Sequence, residues 1–139
     1  MVSAPYIAME AVQRAFYTRM AASTELMALV TGVWDQVPEG AQYPYVVLGE
    51  ATETPDNAHA VIGRSTSTML HIWSQHDGYA EALQILGVIA ELFDHQPLDV
   101  PGLHHVSTHY EFSQTLTDPE PPGDIRHIPV RFRTRTEQP

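Results

Sequence analysis

The strongest limit on the fold comes from a change of hydrophobic period in the second half of the chain. Residues 78–94 repeat apolar side chains at three- and four-residue steps, which predicts an amphipathic helix. Residues 106–116 then alternate apolar and polar side chains, which predicts a strand with one solvated face. The segment 125–136 alternates in the same way. A helix between strands indicates an α+β domain.

The apolar face of the helix 78–94 fixes which residues should pack on the sheet. We expect that face to consist of Tyr79, Ala82, Leu83, Leu86, Ile89, Ala90 and Phe93.

The remaining segments complete a single domain over residues 1–139. We predict a helix over 5–22, a short helical turn over 24–30, a short strand over 32–37, a strand beginning near Tyr45 and a strand over 65–74. The order is α-(α)-β-β-β-α-β-β, with a mixed, mostly antiparallel sheet packed by two main helices. Long loops are expected at 50–64 and 117–124, and flexible ends at 1–4 and 136–139. Because Pro129 cannot donate to a ladder, we expect the last strand at an edge, or paired on one side there.

Charge and composition narrow the function. The net charge is −10, from 17 acidic residues against seven arginines and no lysine. An acidic body disfavours nucleic-acid binding, which needs a basic surface. The absence of cysteine excludes disulfides and thiolate metal sites. We see neither a signal-peptide pattern nor an apolar run long enough to span a bilayer, so no membrane partner is expected.

The sequence offers no convincing catalytic site. The glycine-rich nucleotide motifs, the Gly-x-Ser-x-Gly elbow and the His-Glu-x-x-His motif are all missing. His104, His105 and His109 are close in sequence, but on a strand His105 and His109 share a face about 13 Å apart and His104 points to the other. A solvated strand face is therefore the favoured interpretation, and no catalytic, cofactor or metal residue is predicted.

Other polar residues allow several interpretations. Arg131, Arg133 and Arg135 lie on one face of the last strand, where they could protect an edge, pair with an acidic neighbour or contact phosphate. His71 and Trp73 share a strand face and are either packed or in contact with a partner. Acidic pairs such as Glu50 with Glu53 are read as solvated carboxylates rather than as an acid and a base.

Four signatures in this order resemble a known family. They are Tyr43-Pro44-Tyr45-Val46-Val47-Leu48-Gly49, Leu70-His71-Ile72-Trp73-Ser74, the helix 78–94, and Arg126-His127-Ile128-Pro129-Val130-Arg131-Phe132-Arg133. Together they resemble the tail-completion, or tail-terminator, proteins of long-tailed bacteriophages and gene-transfer particles, over residues of about 24 to 135. The longer N-terminal helix and the proline-rich segment 118–124 depart from the family pattern.

The resemblance implies a structural virion protein of the tail and neck region. Family members form a homohexameric ring at the head-proximal end of the tail tube, stop its polymerisation and offer a surface to the head-completion or connector protein. The implied partners are other copies of the chain, the major tail tube protein and that connector, with DNA passing through without specific binding. No cofactor and no enzymatic activity are implied, and assembly is expected in the host bacterial cytoplasm.

Two groups of residues receive expected places in such a ring. Glu50, Glu53 and Asp56 are expected on an acidic loop that faces the lumen, where they would repel DNA phosphates. The residues expected at a subunit or partner contact are Arg131, Arg133, Arg135 and Trp73. The alternatives are another neck component, such as a head-closure protein or a tube subunit, and a small ligand-binding or enzymatic α+β domain.

Overall fold

A computed structural model describes residues 4–139 and shows an α+β domain built on one sheet. The helices are α1 (Met9–Ala22), α2 (Thr24–Met27) and α3 (Ala80–Phe93). The strands are β1 (Val33–Trp34), β2 (Tyr45–Pro55), β3 (Gly63–Gln75), β4 (His104–Ser113), β5 (Leu116–Thr117) and β6 (Ile125–Glu137). This is the predicted order with the two-residue β5 added. Of the predicted flexible end 1–4, residues 1–3 lie outside the described part of the chain.

The sheet is mixed and mostly antiparallel, which confirms the sequence prediction. Its strands run in the order β1-β2-β3-β6-β4, and β5 pairs with β6 beyond the end of β4. The pair β1–β2 is parallel, whereas the other pairs are antiparallel. The long strands β3 and β6 pair along their full lengths and form the centre of the domain.

Two predicted irregular segments are instead paired strand. A bulge between Leu48 and Ala51 lets β2 continue to Pro55, opposite β3, so the predicted loop 50–64 is reduced to residues 56–62. At the C-terminus, β6 extends through Glu137, which pairs with Gly63 on β3. The prediction of a flexible end at 136–139 is therefore wrong for residues 136 and 137.

Strand β6 is central in the sheet, so the expected edge position is wrong, whereas the alternative, pairing on one side at Pro129, is confirmed. Pro129 pairs opposite His71 of β3, and its carbonyl accepts a hydrogen bond from Gln114 N on the other side. The N–H that proline lacks would point to that same side, where β4 has ended at Ser113 and β5 has not begun. The sheet thus accommodates the proline at a break between two partner strands.

The core lies between one face of the sheet and the helices α1 and α3. Phe16 of α1 stacks on Phe93 of α3 at 4.2 Å between ring centroids, and Phe132 of β6 lies 5.5 Å from Phe93. The predicted apolar face of α3 is partly wrong, because Ile85 is buried whereas the side chain of Leu83 is 46% exposed. The other buried residues of this helix are Ala82, Val88, Ile89 and Phe93.

Candidate assembly surface

Within residues 4–139, the second face of the sheet carries no helix, and we call it the open face. Side chains alternate along β3 and β6, so the neighbours of the buried Leu70 and Ile72 point to this face. The open face is defined by Tyr45, Glu50, Met69, His71, Trp73, Glu111, Phe112, His127, Pro129, Arg131, Arg133 and Arg135. Six of the seven residues predicted to act in assembly lie on this face or at its rim.

A carboxylate, two imidazoles and an indole are linked across three strands of the open face. Glu50 Oε1 lies 2.6 Å from His71 Nε2, and His71 Nδ1 lies 2.7 Å from His127 Nε2. The His127 ring stacks on Trp73 with 3.9 Å between centroids and 4° between planes. Because an ionised carboxylate only accepts, His71 Nε2 carries a proton, and a neutral His71 then accepts from His127 Nε2.

The protonation of this Glu50–His71–His127–Trp73 network follows from its surroundings. The hydrogen bond from His71 lowers the pKa of Glu50 below its ordinary value. Burial lowers the pKa of His127, and the charge of His71 adds to that effect. At neutral pH these shifts favour an ionised Glu50 carboxylate and a neutral His127 imidazole.

Gly49 is the residue that lets the network form. A Cβ atom at this position would lie 2.5 Å from His71 Cδ2 and Nε2, closer than side chains tolerate. The imidazole of His71 thus rests directly on the backbone of β2. This gives the glycine of the Tyr43–Gly49 signature a physical reason.

Three of the four arginines of β6, Arg131, Arg133 and Arg135, form an ion-paired ladder within the chain. Arg133 Nε donates to Glu111 Oε2 at 2.8 Å, and Arg131 Nε lies 3.3 Å from Glu111 Oε1. The guanidinium of Arg131 also lies over the ring of Phe112, 5.3 Å from its centroid. The acidic partner that the sequence allowed for these arginines is therefore found in the same chain.

The third arginine joins the tip of the β2–β3 hairpin to the ladder. Arg135 Nε donates to Asp56 Oδ2 at 2.7 Å. This hydrogen bond lowers the pKa of Asp56 and raises that of Arg135. Asp56 is thus held against the rim of the open face.

Glu53 does not belong with Glu50 and Asp56, and its expected place on an exposed loop is wrong. Its side chain is 5% exposed and points to the helix-covered face, whereas that of Glu50 is 73% exposed. The Glu53 carboxylate accepts hydrogen bonds from Ala8 N, at 3.2 Å, and from Thr66 Oγ1, at 2.8 Å. A strand residue thereby caps the N-terminus of α1, a role that suits a negative charge.

Sequence reasoning missed His127 and Glu111 as members of the open face. His127 is 56 residues from its partner His71, so only the pairing of β3 with β6 brings the two together. Glu111 reaches the arginines because a bulge between Tyr110 and Phe112 breaks the alternation of β4. That bulge also places Phe112 opposite Arg131, on the face that strict alternation does not predict.

Comparison with known proteins identifies the class as structural components of phage tails. The family model "Tail completion protein gp17" matches residues 14–137, nearly the whole chain. The chain therefore belongs to the gp17 family of tail completion proteins, which confirms the predicted resemblance and implies a non-enzymatic role.

Individual relatives agree with this assignment. The tail completion protein gp17 of Bacillus phage SPP1 is 29% identical over 128 residues, which are 91% of this chain and 93% of the relative. The solved structure of SPP1 gp17 superposes with a TM-score of 0.64 at 26% identity, covering 91% of this chain and 89% of that one.

A second solved structure resembles this chain in its fold. A chain from the virion of a native gene transfer agent particle gives a TM-score of 0.82 at 24% identity, covering 96% of this chain and 99% of that chain.

Among the described residues, we find no helix with the length and apolar character that a bilayer crossing requires.

Proposed function

We propose that copies of this chain close into a ring of six at the head-proximal end of the tail tube, stop the tube from growing and join it to the head. Rings arise when each subunit contacts the next through two different surfaces and the rotation closes. Family membership and the gp17 relative of phage SPP1 support the role in tail completion. The likeness to a chain of a virion particle supports assembly with other virion proteins.

The observation that carries this proposal is the chemistry of the open face. It combines a tryptophan, two histidines, a phenylalanine and three arginines on a sheet face without a helical cover in residues 4–139. Aromatic residues and arginines are enriched at protein contacts and dominate their binding energy. We place the contact with a neighbouring subunit or with the tube on this face, through Trp73, Arg131, Arg133 and Arg135.

The acidic character of the chain suits a conduit for DNA. Six copies with a net charge of −10 each carry six times −10, or −60. A lumen with negative potential repels phosphates and lets DNA pass without sticking. Glu50 and Asp56 stay in this proposal as residues near the lumen, whereas Glu53 is removed from it because it is buried against α1.

Deletion of the gene in cells that produce the particle tests the function. We expect tubes of excessive length that carry no heads, and restoration of normal particles when the gene is supplied in trans. Electron microscopy of lysates reads both phenotypes. Tubes of normal length joined to heads without the protein would exclude the proposal.

A charge swap tests the place of the contact. Reversal of Arg131 and Arg133 to glutamate should weaken assembly in a salt-dependent manner. Because both arginines pair with Glu111, the decisive variant adds Glu111→Arg, which restores the internal pairs with inverted charge. If the arginines contact a partner, the triple variant stays defective. If it assembles normally, the ladder serves this chain alone and the placement is wrong.

A further inference from the structure

A group of metal-binding side chains lies outside the open-face network, where the end of α3 meets the free edge of β4. Asp94, His95 and His109 each place one ligand atom within 4.8 Å of the others. His95 Nε2 lies 3.7 Å from Asp94 Oδ1, and the rings of His95 and His109 are 4.5 Å apart and nearly perpendicular.

The turn that presents this cluster is fixed to the strand at two points. Tyr110 N donates to Asp94 Oδ1 at 2.9 Å, and His95 N donates to the carbonyl of Thr108 at 2.9 Å. Both bonds occupy backbone groups along the outer edge of β4. These two hydrogen bonds therefore hold the Asp94 carboxylate and the His95 backbone beside His109.

His95 occupies a backbone conformation that few side chains adopt. Its φ is +57°, in the left-handed region that ends many helices and usually holds glycine or asparagine. This conformation turns the chain back toward β4 and sets the imidazole of His95 against that of His109. Glycine would serve the turn at a lower conformational cost, so the turn itself does not require an imidazole here.

The imidazole nitrogens and the carboxylate of the cluster still have lone pairs available for a metal ion. In residues 4–139, neither ring forms a side-chain hydrogen bond within 3.5 Å, and Asp94 accepts through Oδ1 from Tyr110 N. The cation nearest in register is Arg133, opposite His109 on β6, and its guanidinium is engaged by Glu111 and by Ser65 Oγ.

We propose that Asp94, His95 and His109 bind a divalent transition metal ion of the zinc type. Two imidazoles and one carboxylate are a donor set that suits Zn²⁺ or Co²⁺, with water in the remaining position. Metal–ligand bonds of about 2.0–2.1 Å place ligand atoms roughly 3.3 Å apart in a tetrahedral site. The 72% exposed side chain of His95 can make the small rotation that this requires.

Such an ion would join the C-terminal end of α3 to the edge strand of the sheet. Without metal, the two segments meet through the hydrogen bond from Tyr110 N to the Asp94 carboxylate and the one from His95 N to the Thr108 carbonyl. Bound metal would therefore stabilise the native chain, because the unfolded chain does not hold these ligands together.

Titration of the untagged, metal-free protein with Zn²⁺ alone tests this site. We expect one ion per chain by calorimetry, a melting temperature that rises to saturation, and visible absorption bands when Co²⁺ is the probe. His109→Ala and Asp94→Asn should each weaken Zn²⁺ binding by about 10-fold or more. His104→Ala is the matched control, since His104 is an exposed histidine of the same strand outside the cluster.

His95→Gly separates metal binding from folding. Glycine favours the left-handed turn, so this variant should melt at the same temperature as the wild type or higher without metal, yet lose the response to Zn²⁺. The proposal is overturned if Zn²⁺ does not bind, if the Co²⁺ bands are absent, or if His104→Ala weakens binding as much as His109→Ala.

Discussion

The two faces of the sheet share the same strands but differ in how their side chains are satisfied. On the helix-covered face, Phe132 of β6 is fully buried against Phe16 and Phe93. On the open face, the residues on either side of Phe132 in the sequence are Arg131 and Arg133, which both pair with Glu111 and remain partly exposed. One strand thus contributes to folding through one set of side chains and offers a polar and aromatic surface through the other.

The glutamates of β2 repeat this contrast within four residues. Glu53 is buried and caps α1, whereas Glu50 is exposed and bonds to His71. A bulge and the two-residue period of the strand place these two glutamates on opposite faces of the sheet. Acidic residues that are close in the sequence therefore need not share a surface. The helix-covered face should therefore determine stability, and the open face should determine assembly.

The largest expected difference is between Phe132→Ala and Trp73→Ala. Loss of the buried phenylalanine should lower the free energy of unfolding by about 3–5 kcal/mol, through lost burial and a cavity. Loss of the partly exposed tryptophan should cost less than about 1.5 kcal/mol, since it removes mainly the stack on His127. Urea unfolding of both variants measures the difference. Equal costs would contradict the separation of the two faces.

A smaller difference is expected between Glu53→Gln and Glu50→Gln. The first change weakens the cap of α1 and leaves Arg64 without its nearby charge, for a cost of about 1–3 kcal/mol. The second affects an exposed pair, for which about 0.5 kcal/mol is expected. Chemical denaturation at neutral pH measures both. If Glu50→Gln proved the more damaging, the open-face network would be part of the folding core.

The smallest expected effect is a pH dependence of the free energy of unfolding, caused by the partly buried His127 of the open face. Its folded pKa lies below the ordinary value of 6.5, so the unfolded chain binds the proton more readily. The stability that the neutral His127 contributes is therefore complete above pH 6.5, the ordinary pKa of histidine, and declines as the pH falls through the folded pKa. Between pH 7 and pH 5 the wild type should lose more stability than His127→Gln does.

The control for this pH series is His59→Gln, at an exposed position of the segment 56–62. It should follow the wild type, because His59 is not part of the open-face network. A His127→Gln curve parallel to that of the wild type would show that burial of this imidazole has no consequence for folding. A separate contribution is expected from His105, whose pKa is also lowered by burial.

The fold class, the element order and the side of β6 that carries the arginines could be predicted because they rest on local period. The register of α3 could not, because apolar residues lie nearly all around this helix. Leu83 and Ile85 are both apolar, and only packing on the sheet decides that Ile85 is buried. The extension of β2 to Pro55 could not be predicted, because the residues around Pro55 favour a turn. Pairing with β3 overrides that local preference.

The side-chain contacts in the candidate sites depend on long-range strand pairing more than the secondary-structure elements do. Glu111 meets Arg133 because β4 pairs with β6 across a bulge, and a bulge has no reliable sequence signal. His95 meets His109 because a left-handed residue follows α3, a position where glycine is the usual signal. The open face itself could be anticipated in part, since alternation places Arg131 with Arg133, and His71 with Trp73, on shared strand faces.

Electron cryo-microscopy of the assembled particles is the most direct test of the roles assigned to the two faces. We expect six copies of this chain in a ring between the tube and the head, with Trp73 and the arginine ladder buried against another copy or the tube. The α1 and α3 core should be unchanged from the isolated chain. Copies placed elsewhere in the particle, or a ring whose open faces all point to solvent, would contradict the proposal.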